Sequence, residues 1–216
     1  KFFDGYVSDP TTLLDGDYSI TALTYGQGYS QGVEVSRKFD AFSVYASYND
    51  GFNTDNTSYG DNDYGYSARV EFVPCDYFTV GGAFARQNTA VEDYDSYTVD
   101  ATAKFWGFDF NAAYVSSNWN DSWNNYSVVG TASYDLDDQV QVFGQYEYGV
   151  LDGVEGNLSV GTVGVNYMFN SNVRWTNSFG YSFNGINSEY NLYDTGWESS
   201  ADSGQYLIKT MLQITF

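Results

Sequence analysis

The sequence predicts an all-β protein whose strands cross a membrane, a transmembrane antiparallel up-and-down β-barrel with about twelve strands in view. Three observations predict it. Hydrophobic and polar residues alternate with period 2 over stretches of ten or more residues, longer than the usual five to six of a soluble strand and matched to the roughly 9–11 of a tilted membrane strand. Composition favours strands and turns: 22 Tyr, 16 Phe, 5 Trp and 22 Gly against 2 Pro in 216 residues. Short and long connections alternate along the chain, as tight periplasmic turns and longer outer loops do. No apolar run approaches the ~18 residues of a membrane helix, which excludes a helical membrane protein but not a barrel. A soluble sandwich or lectin would carry shorter strands and fewer outward aromatics.

Taken in order, residues 1–17 are irregular, with Pro10 and Gly16 as breakers, and residues 18–216 form the barrel. Alternating segments are expected near 18–27, 31–39, 41–50, 63–73, 77–87, 95–105, 108–118, 124–134, 138–148, 157–169, 172–183 and 204–216. Tyr64, Tyr66, Ala68, Val70 and Phe72 oppose Gly65, Ser67, Arg69 and Glu71. Tyr97, Val99, Ala101, Ala103 and Phe105 oppose Thr98, Asp100, Thr102 and Lys104. Phe108, Phe110, Ala112 and Tyr114 oppose Asp109, Asn111 and Ala113. Val173, Trp175, Phe179 and Tyr181 oppose Arg174, Thr176, Ser178 and Ser182. Rings gather at segment ends and small aliphatics between them, as at two membrane–water boundaries. The last segment alternates Tyr206, Ile208, Thr210, Leu212, Ile214 and Phe216 with Leu207, Lys209, Met211, Gln213 and Thr215. Short connections fall at 39–41, 73–76, 106–107, 135–138 and 169–172. Long ones fall near 50–63, 87–95, 118–124, 149–156 and 183–204. The first and last segments therefore meet the periplasmic rim, and the even count of twelve satisfies closure.

Three stretches carry a family resemblance. Residues 25–36 (YGQGYSQGVEVS) with 42–51 (FSVYASYNDG), then 164–174 (GVNYMFNSNVR), then 212–216 (LQITF) resemble hairpins and the closing strand of phosphate-selective porins of the O/P type. Ser171 stands where that family usually has Pro. The resemblance implies an integral protein of a Gram-negative-type outer membrane: a sixteen-stranded, trimeric, water-filled porin with small hydrophilic solutes or ions as cargo. Two readings follow, the C-terminal twelve strands of a larger barrel or a complete twelve-stranded relative. The chain opens at Lys1 without an initiator Met, which fits processing or a longer polypeptide. The family's arginine ladder is not matched here.

The expected function is therefore passive diffusion, without strong phosphate selectivity. The alternative is a structural or adhesive surface barrel with an occluded lumen. The lumen face is expected to carry Lys38, Arg69, Glu71, Asp100, Lys104, Asp109, Glu147, Arg174 and Lys209, a wall of nearly balanced charge. Net charge is −20, from 28 acids and 8 bases, which argues against nucleic acid as a partner. The excess acid lies in long-loop segments: Asp50, Asp55, Asp61 and Asp63; Glu92, Asp93 and Asp95; Asp121; Asp152 and Glu155; Glu189, Asp194, Glu198 and Asp202. These give either a cation-concentrating mouth or a solvated surface. No His is present, so imidazole-based hydrolysis and His-ligated zinc are excluded, and no enzyme is expected. No cofactor is expected. Loop-bound calcium at residues 50–56 or 59–63 is weighed against a plain polar loop, since neither stretch fits an EF-hand. Residues 26–28 (GQG) read as a hairpin turn, Cys75 as an inert turn residue, and Trp119 and Trp123 as interface anchors or a sugar-stacking pair. The 183–204 loop either narrows the barrel, covers it or contacts a neighbour.

Overall fold

Polar residues line the inside of this sheet and apolar residues its outside, the reverse of a soluble domain. The computed structural model describes residues 14–15, 19–25, 32–49, 64–88, 93–119, 122–193 and 195–215. Its strands are β1 (Gly32–Phe39), β2 (Phe42–Asn49), β3 (Tyr64–Cys75), β4 (Phe78–Asn88), β5 (Asp93–Phe105), β6 (Phe108–Trp119), β7 (Ser122–Asp135), β8 (Val140–Val150), β9 (Leu158–Asn170), β10 (Val173–Ser182) and β11 (Tyr206–Ile214). They form one 11-stranded antiparallel sheet in sequence order, and β1 and β11 stand at its two ends, unpaired with each other.

Alternation dictates which face meets which solvent. Along β3 every second residue is exposed (Tyr64, Tyr66, Ala68, Val70), and the residues between them (Gly65, Ser67, Arg69, Glu71) are buried. Tyr66, Val99 and Trp175 are 41%, 52% and 43% exposed on the outer face, whereas Arg69 is 2% exposed on the inner one. Directly paired residues share a face, so the register carries this assignment from strand to strand. Leaving such large apolar side chains in water would be unfavourable by ~25 cal/mol per Å² of apolar surface. Facing lipid, they incur no such cost.

Aromatic rings form two girdles. Near the short turns they are mostly Phe: Phe42 on Phe72 at 4.6 Å, Phe105 on Phe110 at 4.9 Å, Phe108 on Tyr134 at 4.7 Å. Towards the long loops they are mostly Tyr: Tyr48 with Tyr64, Tyr97 with Tyr114, and Tyr114 with Tyr126, at 5.9–6.0 Å. The Trp106-Gly107 turn has positive φ at both residues, 54° and 81°, the pair of left-handed positions that a two-residue hairpin demands.

The first expected strand is a correction. Within 18–27, residues Ile20–Tyr25 form a helix, α1, so the described strands number eleven, not twelve. Ser19 caps it: the Ala22 N–H donates to Ser19 Oγ at 3.0 Å and the Leu23 N–H to the Ser19 carbonyl at 3.1 Å. Ile20, Ala22 and Leu23 satisfy both a period-2 and a helical reading over so few residues, and the serine cap tips the balance. Two expected loops also contract, because pairing continues to Asn88↔Asp93 and to Trp119↔Ser122. Asp95 accordingly lies in β5, 3.6 Å from Arg86. The closing strand is nine residues, Tyr206–Ile214. Phe216, the glycine turn at 26–28 and both calcium-candidate stretches lie outside the described residues, as do the side chains of Trp119 and Trp123.

Candidate channel wall and constriction

Register puts all nine expected lining residues on the inner face. One cross-strand row runs Lys38–Ser43–Glu71–Gly81–Asp100–Ala113–Val129–Glu147, and so brings four of them into line. A second runs Lys104–Asp109–Ser133–Phe143–Gly164–Ser178–Lys209 and unites three more. Arg69 sits one row from the first, paired with Tyr45 and Ala83. Arg174 faces Gln213 on β11.

The densest charge is a belt across β2–β5. The Arg69 guanidinium donates to both Asp100 oxygens, Nη1 to Oδ2 at 2.6 Å and Nη2 to Oδ1 at 2.7 Å. Its Nε donates to Glu71 Oε1 at 3.0 Å, and the Tyr45 hydroxyl donates to Glu71 Oε2 at 3.0 Å. Arg69 is on β3 and Asp100 on β5, so the pair must reach across β4. It crosses over Gly81, where a Cβ would overlap the guanidinium. A glycine in the middle of β4 thus leaves the notch that a fork-to-fork arginine–carboxylate pair requires. All three charges are buried, so each acid is held by a hydrogen-bonded cation rather than left facing the lumen.

Lys104 and Lys209 are also engaged by acids. Lys104 Nζ lies 2.9 Å from Asp109 Oδ2, an exposed pair beside the Trp106-Gly107 turn. Lys209 Nζ lies 2.6 Å from Asp15 Oδ2, and the same aspartate exerts its field on Arg174. Lys38 is exposed on the edge strand β1. Between these groups the inner face is lined with hydroxyls and amides, among them Ser47, Ser67, Thr98, Asn166, Thr176 and Ser178.

Glu147 holds a different position from the others: it is buried beneath α1. The Thr21 N–H donates to its Oε2 at 2.8 Å, and Gln145 Nε2 to its Oε1 at 3.0 Å. Thr21 Oγ1 also meets Ser127 Oγ at 2.8 Å. A carboxylate at the first turn of a helix answers N–H groups that have no partner within it. Glu147 is therefore an anchor for α1 rather than an open-wall charge.

The 183–204 loop folds over the inner face beside α1. Ile20 of α1 packs with Val115, Leu158 and Val160 of the inner face, with Leu151, and with Ile186, Tyr190 and Trp197 of the loop. The Tyr190 hydroxyl donates to the Gly149 carbonyl at 2.9 Å and accepts from the Leu158 N–H at 3.2 Å. Trp197 lies against Gly180 of β10, where a Cβ would come within 2.7 Å of the indole. Asn191 ties the loop to α1, its N–H donating to Thr24 Oγ1 at 3.0 Å and its Nδ2 to the Leu23 carbonyl at 3.2 Å. Burial holds the Tyr190 phenol above its ordinary value. This apolar seat is not among the sequence expectations. Its signal is the parity of Val115, Leu158 and Val160, with Val129 under Ala22 beside them, which puts aliphatics on the face otherwise given to polar residues.

The sequence matches no protein-family model and no curated protein. Solved structures do match the fold. A porin superposes with TM-score 0.55 at 15% identity, over 82% of this chain and 61% of that one. OmpT, an outer membrane protein of Vibrio cholerae, superposes in its in-vitro folded form with TM-score 0.56 at 16% identity, over 84% of this chain and 63% of that one. Outer-membrane expressed OmpT superposes with TM-score 0.55 at 17% identity, over 96% and 68%. In the first two matches the chain spans less than two thirds of the other protein's length. The chain has the fold of an integral outer-membrane β-barrel protein.

Proposed function

We propose that the chain forms the wall of an outer-membrane porin, a passive diffusion channel for ions and small hydrophilic solutes. One observation carries the reading. The inner face holds the ions, hydroxyls and amides, and the outer face holds the apolar side chains between two aromatic girdles. A polar inner wall stabilises hydrated solutes that a bilayer rejects, so no chemical step is needed.

The charge pattern supports a channel without strong phosphate selectivity. Arg69, Lys104 and Lys209 each contact a carboxylate, and Asp15 also acts on Arg174, so most lumen bases have their positive field offset at close range. A phosphate would have to compete with these carboxylates. α1 and the 183–204 loop, packed on β6–β10, are the elements that narrow the pore in this reading. A trimer, implied by the family resemblance, belongs to the same proposal. Cross-linking in native outer membranes, resolved by mass, tests it.

Planar-bilayer recording tests the function. The expected result is stepwise conductance, with a reversal potential in a salt gradient that shows at most weak preference between chloride and potassium and no block by millimolar phosphate. Absence of conductance from correctly folded protein would overturn the reading.

A further inference from the structure

A carboxylate already sits on the inner wall of β10–β11, and it is the chain's own. Lys209 Nζ donates to Asp15 Oδ2 at 2.6 Å, and Asp15 also acts on Arg174. The seat beneath it is built by three strands. Lys209 on β11 pairs with Ser178 on β10, Ser178 pairs with Gly164 on β9, and Arg174 lies on the same face of β10 as Ser178. The Phe143 ring covers Gly164, where a Cβ would overlap it, and gives the seat an apolar wall. Asp15 fills this seat incompletely. Ser178 is 5% exposed, and its Oγ has no hydrogen-bond partner among the described residues; nor has Asp15 Oδ1. Buried hydroxyls are normally hydrogen-bonded, so this one marks a place for an acceptor.

We propose that this seat is a carboxylate-binding subsite for small organic acids, and that Asp15 is a tethered occupant that holds it closed to them. A free carboxylate can place one oxygen on Lys209 and the other on the Ser178 hydroxyl, within the field of Arg174 and with its carbon tail against Phe143. Two oxygens on two donors, one of them a cation, is the arrangement a carboxylate answers best. With Asp15 in place, one negative charge offsets Lys209 and Arg174. With that charge removed, the wall here is positive. Asp15 thereby also sets the ion preference of the parent pore.

The subsite deepens the channel reading and rests on it for its cargo, so one of its two readouts needs no current. Asp15→Asn and, separately, Lys209→Met are made in the full native polypeptide. In bilayers under a KCl gradient, Asp15→Asn should raise the chloride-to-potassium permeability ratio about two- to fivefold, the effect of one unit charge met at roughly 4–8 Å in water. Lys209→Met, which leaves Asp15 in place, should lower the ratio and tests the same pairing independently. Saturation-transfer NMR with acetate, on the protein in detergent, reads binding without conductance. Asp15→Asn should give a saturable acetate signal several-fold stronger than the parent's, and adding Ser178→Ala should remove most of it. An ion preference unchanged in both variants overturns the subsite, as does an acetate signal that Asp15→Asn does not raise or that Ser178→Ala does not lower. Folded parent protein without conductance overturns the channel reading, and the acetate result then decides the subsite by itself.

Discussion

Replacing Gly81 with Ala isolates the ion pair that spans β4. In an ordinary strand interior the change is favourable by ~0.5–1 kcal/mol, because glycine loses more backbone freedom on folding. Here the new Cβ overlaps Arg69 Nη2, comes within 2.8 Å of Arg69 Cζ and sits 3.1 Å from Asp100 Oδ1. The guanidinium ends a flexible side chain, so moving it is sterically cheap. The cost lies in the hydrogen bonds it leaves. Two charge-assisted bonds at ~1.5–3 kcal/mol each set the ceiling, and the retained Glu71 contact and lumen water recover part. A net destabilisation of ~1–3 kcal/mol is expected, opposite in sign to the ordinary effect. Equilibrium urea unfolding in detergent, followed by tryptophan fluorescence, reads it. Asp100→Ala removes the same contact, so the double variant should be no less stable than the worse single one, with a coupling of ~1–2 kcal/mol. A neutral or stabilising Gly81→Ala, or strictly additive losses, would refute the argument.

Two further predictions concern the constriction. Glu147→Ala removes the acceptor for the Thr21 N–H and should loosen α1 by ~1–3 kcal/mol, seen as larger and noisier single-channel conductance, whereas an unchanged conductance would count against α1 as part of the constriction. Tyr190→Phe loses the bond to the Gly149 carbonyl and should make the 183–204 loop more open to added protease. In the parent protein the raised Tyr190 value means that the clamp is at full strength below about pH 10 and weakens as pH rises through the folded-state value, so protease sensitivity of this loop should climb in that range and not below it.

Much of this architecture is legible in one sequence, because a barrel wall repeats one rule. Period 2 in residues 64–72 or 97–105 fixes which side chains face lipid, and register merely propagates it. By the same alternation the nine expected lining residues share one face of the sheet. Alternation gives no access to their partners. Arg69 and Asp100 are two strands apart, and their meeting depends on Gly81, whose meaning appears only when β3, β4 and β5 are laid side by side. The α1 segment is not legible as a helix because six residues hold too few turns to separate helical from alternating order. The inward fold of 183–204 is unreadable for another reason: Ile186, Tyr190 and Trp197 are buried by contacts with Ile20, far away in sequence, and the odd parity of Val115, Leu158 and Val160 marks a covered seat without saying what covers it.

The account stands on lipid against one face of the sheet and water against the other. Nitroxide labels at single cysteines along β3, in a Cys75→Ser background reconstituted in bilayers, test this directly. Tyr66→Cys, Ala68→Cys and Val70→Cys should be relaxed strongly by oxygen, which concentrates in lipid, and Ser67→Cys, on the covered inner face, far less, alternating residue by residue. Labels at 66, 68 and 70 that are shielded from oxygen, or that are relaxed by a water-soluble nickel chelate instead, would contradict it.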